Sequence, residues 1–179
     1  MLPCPKGFRL AYLGLTFISF GVSGYANVDA ARYPMHGGHG MTHGTHRVNV
    51  YYEDTDFSGL VYHANYLKYF ERAREHLLGR ARLVDLWERE GLGFVVYKAD
   101  MTFREGARFG DTLDIRTNVS VQSDYRAVFV QEAWRPAADK PLVSAEIHLV
   151  CVDRDQRLVR LPESVRSLVK ESSSALGEG

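Results

Sequence analysis

Residues 112–121 alternate without a break. Leu113, Ile115, Thr117, Val119 and Val121 stand on one side, and Thr112, Asp114, Arg116, Asn118 and Ser120 on the other. Successive side chains of an extended chain point to opposite faces, so this run predicts a strand with one face in a core and one toward polar surroundings. Such a strand needs hydrogen-bonded neighbours and a layer over its apolar face. Three candidate neighbours lie nearby. Gly93–Phe103 places Val95, Tyr97, Ala99, Met101 and Phe103 on one face, and residues 125–134 and 142–152 read as two further strands. Pro136 and Pro141 lack amide donors, so the segment between those two is a connection, and residues 153–156 make another turn. Short links between four consecutive strands favour antiparallel neighbours.

The covering layer is read from Asn65–Leu78. Tyr66, Tyr69, Phe70, Ala73 and Leu77 recur at intervals of three and four, which gathers them into one stripe of a helix that Gly79 stops. A second, shorter helical piece covers 84–90 and ends at Gly91, and 162–170 suggests a short terminal helix. Ahead of the long helix, Val48, Val50 and Tyr52 alternate with Arg47, Asn49 and Tyr51 as a short strand. The sum is an α+β chain, an antiparallel sheet wrapped around a long central helix. With 179 residues, 45% of them apolar, it buries the core of one domain. Its 22 basic and 22 acidic residues balance, which argues against a nucleic-acid partner. Cys4 and Cys151 do not suggest a disulfide framework, and Cys151, inside an alternating apolar run, reads as a small buried hydrophobe.

Residues 1–45 differ in character from the domain expected over 46–170, and the Ser/Gly-rich tail 171–179 has nothing to pack. Lys6 and Arg9 precede an apolar run over 10–22, which is signal-like but short for a membrane span. Three readings stand: a cleaved export signal, a membrane-associating or disordered extension, and upstream sequence included by a wrong start. Met41, just before the first strand, favours the last. His36, His39, His43 and His46 carry metal-binding side chains, but the glycines among them make a preformed site costly to order, so no metal site is expected.

The densest unusual residues lie between the first strand and the long helix, over 51–66. Glu53, Asp54 and Asp56 fall within four positions, followed by Gly59, which permits a tight turn, and by His63 at the helix entrance. A solvated acidic turn with local hydrogen bonds explains this as well as a site in which one carboxylate attacks an electrophile or activates water beside helix-end amides. His63 can cap, pack or transfer protons near neutral pH. Tyr62 and Tyr66 suit an acyl channel and equally an ordinary core or subunit contact.

The run Asp54-Thr-Asp-Phe-Ser-Gly-Leu-Val-Tyr-His-Ala-Asn-Tyr-Leu-Lys-Tyr-Phe-Glu-Arg-Ala-Arg74, with the later Phe103-Arg-Glu-Gly-Ala-Arg-Phe-Gly-Asp111, closely resembles the YbgC-like acyl-coenzyme A thioesterases of the 4-hydroxybenzoyl-coenzyme A thioesterase group. The resemblance implies a hotdog fold and hydrolysis of an acyl thioester to a carboxylate and free coenzyme A, with neither metal nor cofactor. It places the catalytic carboxylate on Asp56 and an assisting side chain, with an amide donor to the carbonyl, on His63. Gly59, Val61, Tyr62, Asn65 and Tyr66 are assigned to substrate binding or the shape of the site. Glu71, an acid on the helix, is assigned to pairing with Arg74 or Lys68.

The implied substrate is acyl-coenzyme A, or an acyl-carrier protein in its place. The implied assembly is a homodimer or homotetramer, and the setting is the cytoplasm, in association with the Tol–Pal envelope system. Arg104, Arg108 and Arg126 are basic side chains available for a nucleotide contact, but each by itself reads first as an ordinary surface charge, and none is assigned as a binding residue. A non-catalytic acyl-thioester-binding or assembly protein and a hotdog dehydratase are the competing functions.

Overall fold

In the computed structural model, which describes residues 42–167, the five long strands pair antiparallel throughout in the order β1-β3-β4-β5-β2. They are β1 (Thr42–Asn49), β2 (Gly93–Phe103), β3 (Thr112–Ser123), β4 (Arg126–Trp134) and β5 (Val143–Val152). A two-residue β6 (Leu158–Val159), which the sequence did not announce, pairs with β5. The expectations on residues 1–41, including His36, His39 and the apolar run, and on 168–179 lie outside the described residues.

The expected face of β3 is the covered one: Leu113, Ile115 and Val119 are fully buried and Thr117 nearly so. Ala127, Phe129 and Ala133 of β4 and Val143, Ala145, Ile147 and Cys151 of β5 extend this surface. Helix α1 (Asn65–Leu78) packs over it, burying Tyr66, Tyr69, Phe70 and Ala73. Burial of one such side chain is worth about 1.5–3 kcal/mol. Burial also pushes the Cys151 thiol up to about 11, which suits a packing residue and not a nucleophile.

One polar group pins the helix to the middle of the sheet. Arg74, buried on the inner side of α1, donates from Nη1 to Gln131 Oε1 at 2.7 Å and pairs with Glu71. Gln131, fully buried, donates to Phe70 O at 3.0 Å and to Thr117 Oγ1 at 2.9 Å. Of the two partners expected for Glu71, the helix supplies Arg74.

The sequence reading needs correction at four places. First, β1 begins at Thr42, inside the Gly/His-rich stretch read as aperiodic, because pairing with β3 from Thr42↔Val119 onward supplies the order that the local pattern lacks. His46 is accordingly no linker residue; its ring stacks on His76 of α1 at 4.1 Å. Second, the strand stops at Asn49, and Tyr52 turns outward in a short 3₁₀ turn instead of following Val48 and Val50 inward. Third, the second helix, α2 (Arg80–Asp85), starts directly after Gly79 and widens into a π-helical turn, Leu86–Glu90, before ending at Gly91.

The fourth correction concerns β2. Val96 pairs with Leu149 and Lys98 with His148, consecutive partners, so Tyr97 is an extra residue in a bulge. The bulge carries Val95 and Tyr97 to the opposite face from Ala99, Met101 and Phe103. Tyr97 thus meets His148 on the outer face, its hydroxyl 3.2 Å from Nδ1. Among the described residues, no helix is long and apolar enough to cross a membrane.

Candidate active site

The chain between β1 and α1 is held by its own backbone before any side chain acts. Val50 still pairs with the corner after β2, donating to Asp111 O at 2.9 Å and accepting from Gly110 N at 3.1 Å. Asp54 then turns inward. Its Oδ2 accepts the Tyr51 amide at 2.8 Å, while its carbonyl accepts the Tyr62 amide at 2.8 Å and Asn65 Nδ2 at 2.9 Å. Asp54 is therefore the acid that builds the turn. Burial, with the Asp54 carboxylate beside it, pushes the Tyr69 phenol far above its ordinary value.

Asp56 is placed differently. Thr55 and Val61 face each other as a single bridge, and the Asp56 amide donates to Leu60 O at 2.8 Å. This makes residues 57–59 the tip of a miniature hairpin. Gly59 closes it at φ 76°, in the left-handed region where a side chain is strained. The Asp56 carboxylate is exposed, and its Oδ1 accepts the Ser58 hydroxyl at 2.5 Å and the Ser58 amide at 2.8 Å. The Ser58 hydroxyl, then the Ser58 amide, with smaller help from the Leu60 amide and His63, hold the carboxyl below its ordinary value of 3.8. Asp56 is thus an exposed anion at neutral pH, oriented by two short local bonds.

Asp56 stands on a cleft of about 270 Å³. The loop contributes Asp56, Leu60, Val61 and His63; α1 contributes Tyr66; the end of β2 and the corner after it contribute Phe103, Arg104, Glu105 and Gly106. The corner is tied to the loop and helix by the Ala107 amide donating to Tyr66 Oη at 2.9 Å and the Val61 amide donating to Ala107 O at 2.8 Å. On its other side Arg135, just beyond β4, pairs with Glu105, reaches Asp111 Oδ2 with Nε at 2.9 Å, and reaches Gly106 O with Nη2 at 2.9 Å. The rings meet edge-on, Tyr66 with Phe103 at 5.9 Å and His63 with Phe103 at 6.4 Å.

Of the residues singled out from the sequence, Asp56, Val61, His63 and Tyr66 line this cleft. Gly59, Tyr62 and Asn65 do not. Gly59 makes the turn, Tyr62 lies half-exposed with its ring 4.3 Å from that of His63, and buried Asn65 ties the helix start to Asp54 O. Sequence reasoning missed Leu60, Phe103, Glu105 and Gly106 as lining residues and Arg135 as their brace. The Phe103–Asp111 corner motif contained Phe103, Glu105 and Gly106 and the Asp54–Arg74 run contained Leu60, while nothing pointed to Arg135. Of the three candidate surface cations, Arg104 lines the cleft, donating to Ser144 Oγ at 2.7 Å. Arg126 instead lies over the Tyr97 ring at 5.1 Å, and Arg108 donates its amide to Asp111 Oδ2 at 2.9 Å. Among the described residues no cluster of three or more His, Cys, Asp or Glu could hold a metal.

The sequence profile of the thioesterase-like superfamily matches residues 50–169. The acyl-CoA thioesterase YbgC of Helicobacter pylori strain 26695 is 44% identical over 137 residues, covering 73% of this chain and 99% of that protein. The acyl-CoA thioester hydrolase YbgC of Escherichia coli is 36% identical over 126 residues, 69% of this chain and 93% of that one. Among solved structures, a probable thioesterase from Bartonella henselae superposes with a TM-score of 0.62 at 32% identity, over 68% of this chain and all of that one. A 1,4-dihydroxy-2-naphthoyl-CoA thioesterase from Synechocystis reaches 0.67 at 22% identity, over 73% of this chain and 97% of that one, a likeness of fold. An Asp-bearing hairpin at the head of a helix cradled by an antiparallel sheet, matched over this length, shows that the chain belongs to the thioesterase-like superfamily as a YbgC-like protein of hotdog fold.

Proposed function

We propose that this protein is an acyl-CoA thioesterase that hydrolyses its substrate to a carboxylate and free coenzyme A, with Asp56 as the catalytic group. The observation that carries the reading is Asp56 itself: an ionised carboxylate, oriented by Ser58, on the wall of a cleft that meets the start of α1. In one route Asp56 attacks the thioester carbonyl carbon, the carbon–sulfur bond breaks, the thiolate leaves and takes a proton, and water hydrolyses the mixed anhydride. In the other, Asp56 takes a proton from the water that attacks. Both end in acid and thiol.

The developing oxyanion is received at the head of α1. There the Tyr62 and Asn65 amides are already bonded to Asp54 O and Tyr62 O, and the His63 amide is the donor assigned to substrate. A donor of this kind is worth about 3 kcal/mol in the transition state. The His63 side chain assists from the cleft wall. Gly59, Val61, Tyr62, Asn65 and Tyr66 shape the site.

The reading extends to assembly and setting. Among the described residues β2 ends the sheet, with Val95, Val96 and Phe103 each more than two-fifths exposed. An unpaired apolar edge favours a second copy against it, giving a homodimer or a tetramer of two such pairs. Acyl-CoA is a cytoplasmic substrate, so the proposal sets the enzyme in the cytoplasm, in association with the Tol–Pal system; an acyl-carrier protein substitutes for coenzyme A as the second carrier to assay.

The test is thiol release from acyl-CoA by Asp56→Asn, which keeps size and loses the anion. Turnover falls at least about a hundredfold, with folding and assembly unchanged, while Asp54→Asn, in the residue that builds the turn, gives a smaller catalytic loss and a lower melting temperature. Near-normal turnover in Asp56→Asn sinks the assignment. Label from isotopic water appearing in Asp56 after a single turnover shows direct attack with water entering at the Asp56 carbonyl. With label confined to the product acid, an acyl-Asp56 species trapped by rapid acid quench selects direct attack and its absence the general base.

A further inference from the structure

Leu60 and Gly106 face each other on the cleft wall. Gly106 is not among the glycines with left-handed backbone, so the turn it occupies does not call for glycine. Leu60 does. A Cβ at position 106 would lie 2.9 Å from Leu60 Cδ1, 3.1 Å from Cδ2 and 3.2 Å from Cβ, inside the roughly 3.5–4.0 Å at which carbon atoms rest.

Neither backbone is free to retreat. Leu60 O accepts the Asp56 amide at 2.8 Å, and Leu60 forms a bridge with Arg108. Ala107, next to Gly106, is bonded to both Tyr66 Oη and the Val61 amide, and Gly106 O accepts from Arg135 at 2.9 Å. Any side chain at 106 therefore displaces the isobutyl group of Leu60 into the space it already borders.

Leu60, Val61, Tyr66 and Phe103 are the apolar lining groups, while Asp56, Glu105 and Arg104 are charged. An acyl hydrocarbon lies against the first set, with its carbonyl toward Asp56. The cleft holds about 270 Å³, and in an apolar wall of four side chains the width of one methyl group matters. We infer that the Leu60–Gly106 contact sets the width of the acyl pocket and so decides which acyl groups are accepted. This role rests on the thioesterase reading above.

The experiment compares kcat/KM for acetyl-CoA, hexanoyl-CoA and benzoyl-CoA, by thiol release, in wild type, Leu60→Ala, Gly106→Ala and the double variant. Leu60→Ala raises the benzoyl-to-acetyl ratio about tenfold or more, the low end of what a methylene-sized change in an apolar pocket discriminates. Gly106→Ala lowers it by a similar factor. The double variant stays above wild type, because alanine at 106 then has no isobutyl group to displace. Leu60→Val gives a milder shift in the same direction and serves should Leu60→Ala fold poorly. Unchanged ratios in the single variants, or single effects that simply add in the double variant, overturn the inference. Wild-type protein that releases no thiol from any substrate counts against the thioesterase reading instead, and binding of the non-hydrolysable thioether analogues then reads the same order of acyl preference.

Discussion

β3 and β2 carry the same alternating pattern in the sequence and have opposite fates. β3 lies between β1 and β4 with α1 over its inner face, and Leu113, Ile115 and Val119 have no exposed surface. Among the described residues β2 pairs on one side only, with β5, and most of its residues are exposed, Val95 at 45% and Val96 at 41%. The bulge at Tyr97 then exchanges its faces midway. Alternation reports that a segment is extended and two-sided. It does not report which side is covered, or by what, because cover comes from neighbours remote in sequence.

Substitution separates the two strands. Ile115→Ala opens a cavity in the middle of the core and costs about 2–5 kcal/mol of stability, measured by urea unfolding; a loss comparable to that at an exposed site would break the contrast. Lysines at both Val95 and Val96 act in the other sense. At exposed positions they change the stability of the fold by about 0.5 kcal/mol or less each, yet they place charge on both faces of the sheet edge and convert the proposed assembly to monomers on light scattering. Assembly that survives them removes the β2 edge from the proposed interface.

The Asp56 hairpin sharpens the comparison, because it is as exposed as β2 yet ordered by local bonds. Ser58→Ala removes the hydroxyl that contributes most to holding Asp56 below its ordinary value and leaves the amide. A depressed carboxylate is ionised above its folded pKa and loses its charge as pH falls through it. The acid limb of kcat/KM, followed from about pH 7 downward, therefore moves upward toward the ordinary carboxylate value in the variant. An acid limb that stays in place shows that Ser58 does not tune the group that matters. This is the smallest of the expected effects.

The helix was legible to its ends because a stripe at three- and four-residue spacing, stopped by Gly79, is a complete local instruction. The loop was legible because the Asp54–Arg74 run is a long ordered match, and within it the structure separates two neighbouring acids by environment. Asp54 is spent on backbone amides, whereas Asp56 faces the cleft. The start of β1 was not legible. Its residues before His46 have no apolar rhythm, and it is the ladder to β3 that orders them. Nor was Arg74 readable as a core residue, since its burial depends on Gln131 and Thr117 from two different strands.

The sequence by itself determined the α1 stripe, the segments of β2 to β5 and the acid-bearing turn before the helix, since each depends on residues close to one another in the chain. Tertiary structure alone decided that Phe103, Glu105 and Gly106 would stand opposite Leu60 and Asp56, that Arg135 would brace them, and that among the described residues the β2 edge of the sheet would be apolar. Those facts follow from the strand order, which sets β2 at the far end of the sheet from β1 while the corner after β2 returns to pair with Val50. Local periodicity is blind to such an order because every antiparallel arrangement of these strands satisfies the same alternation.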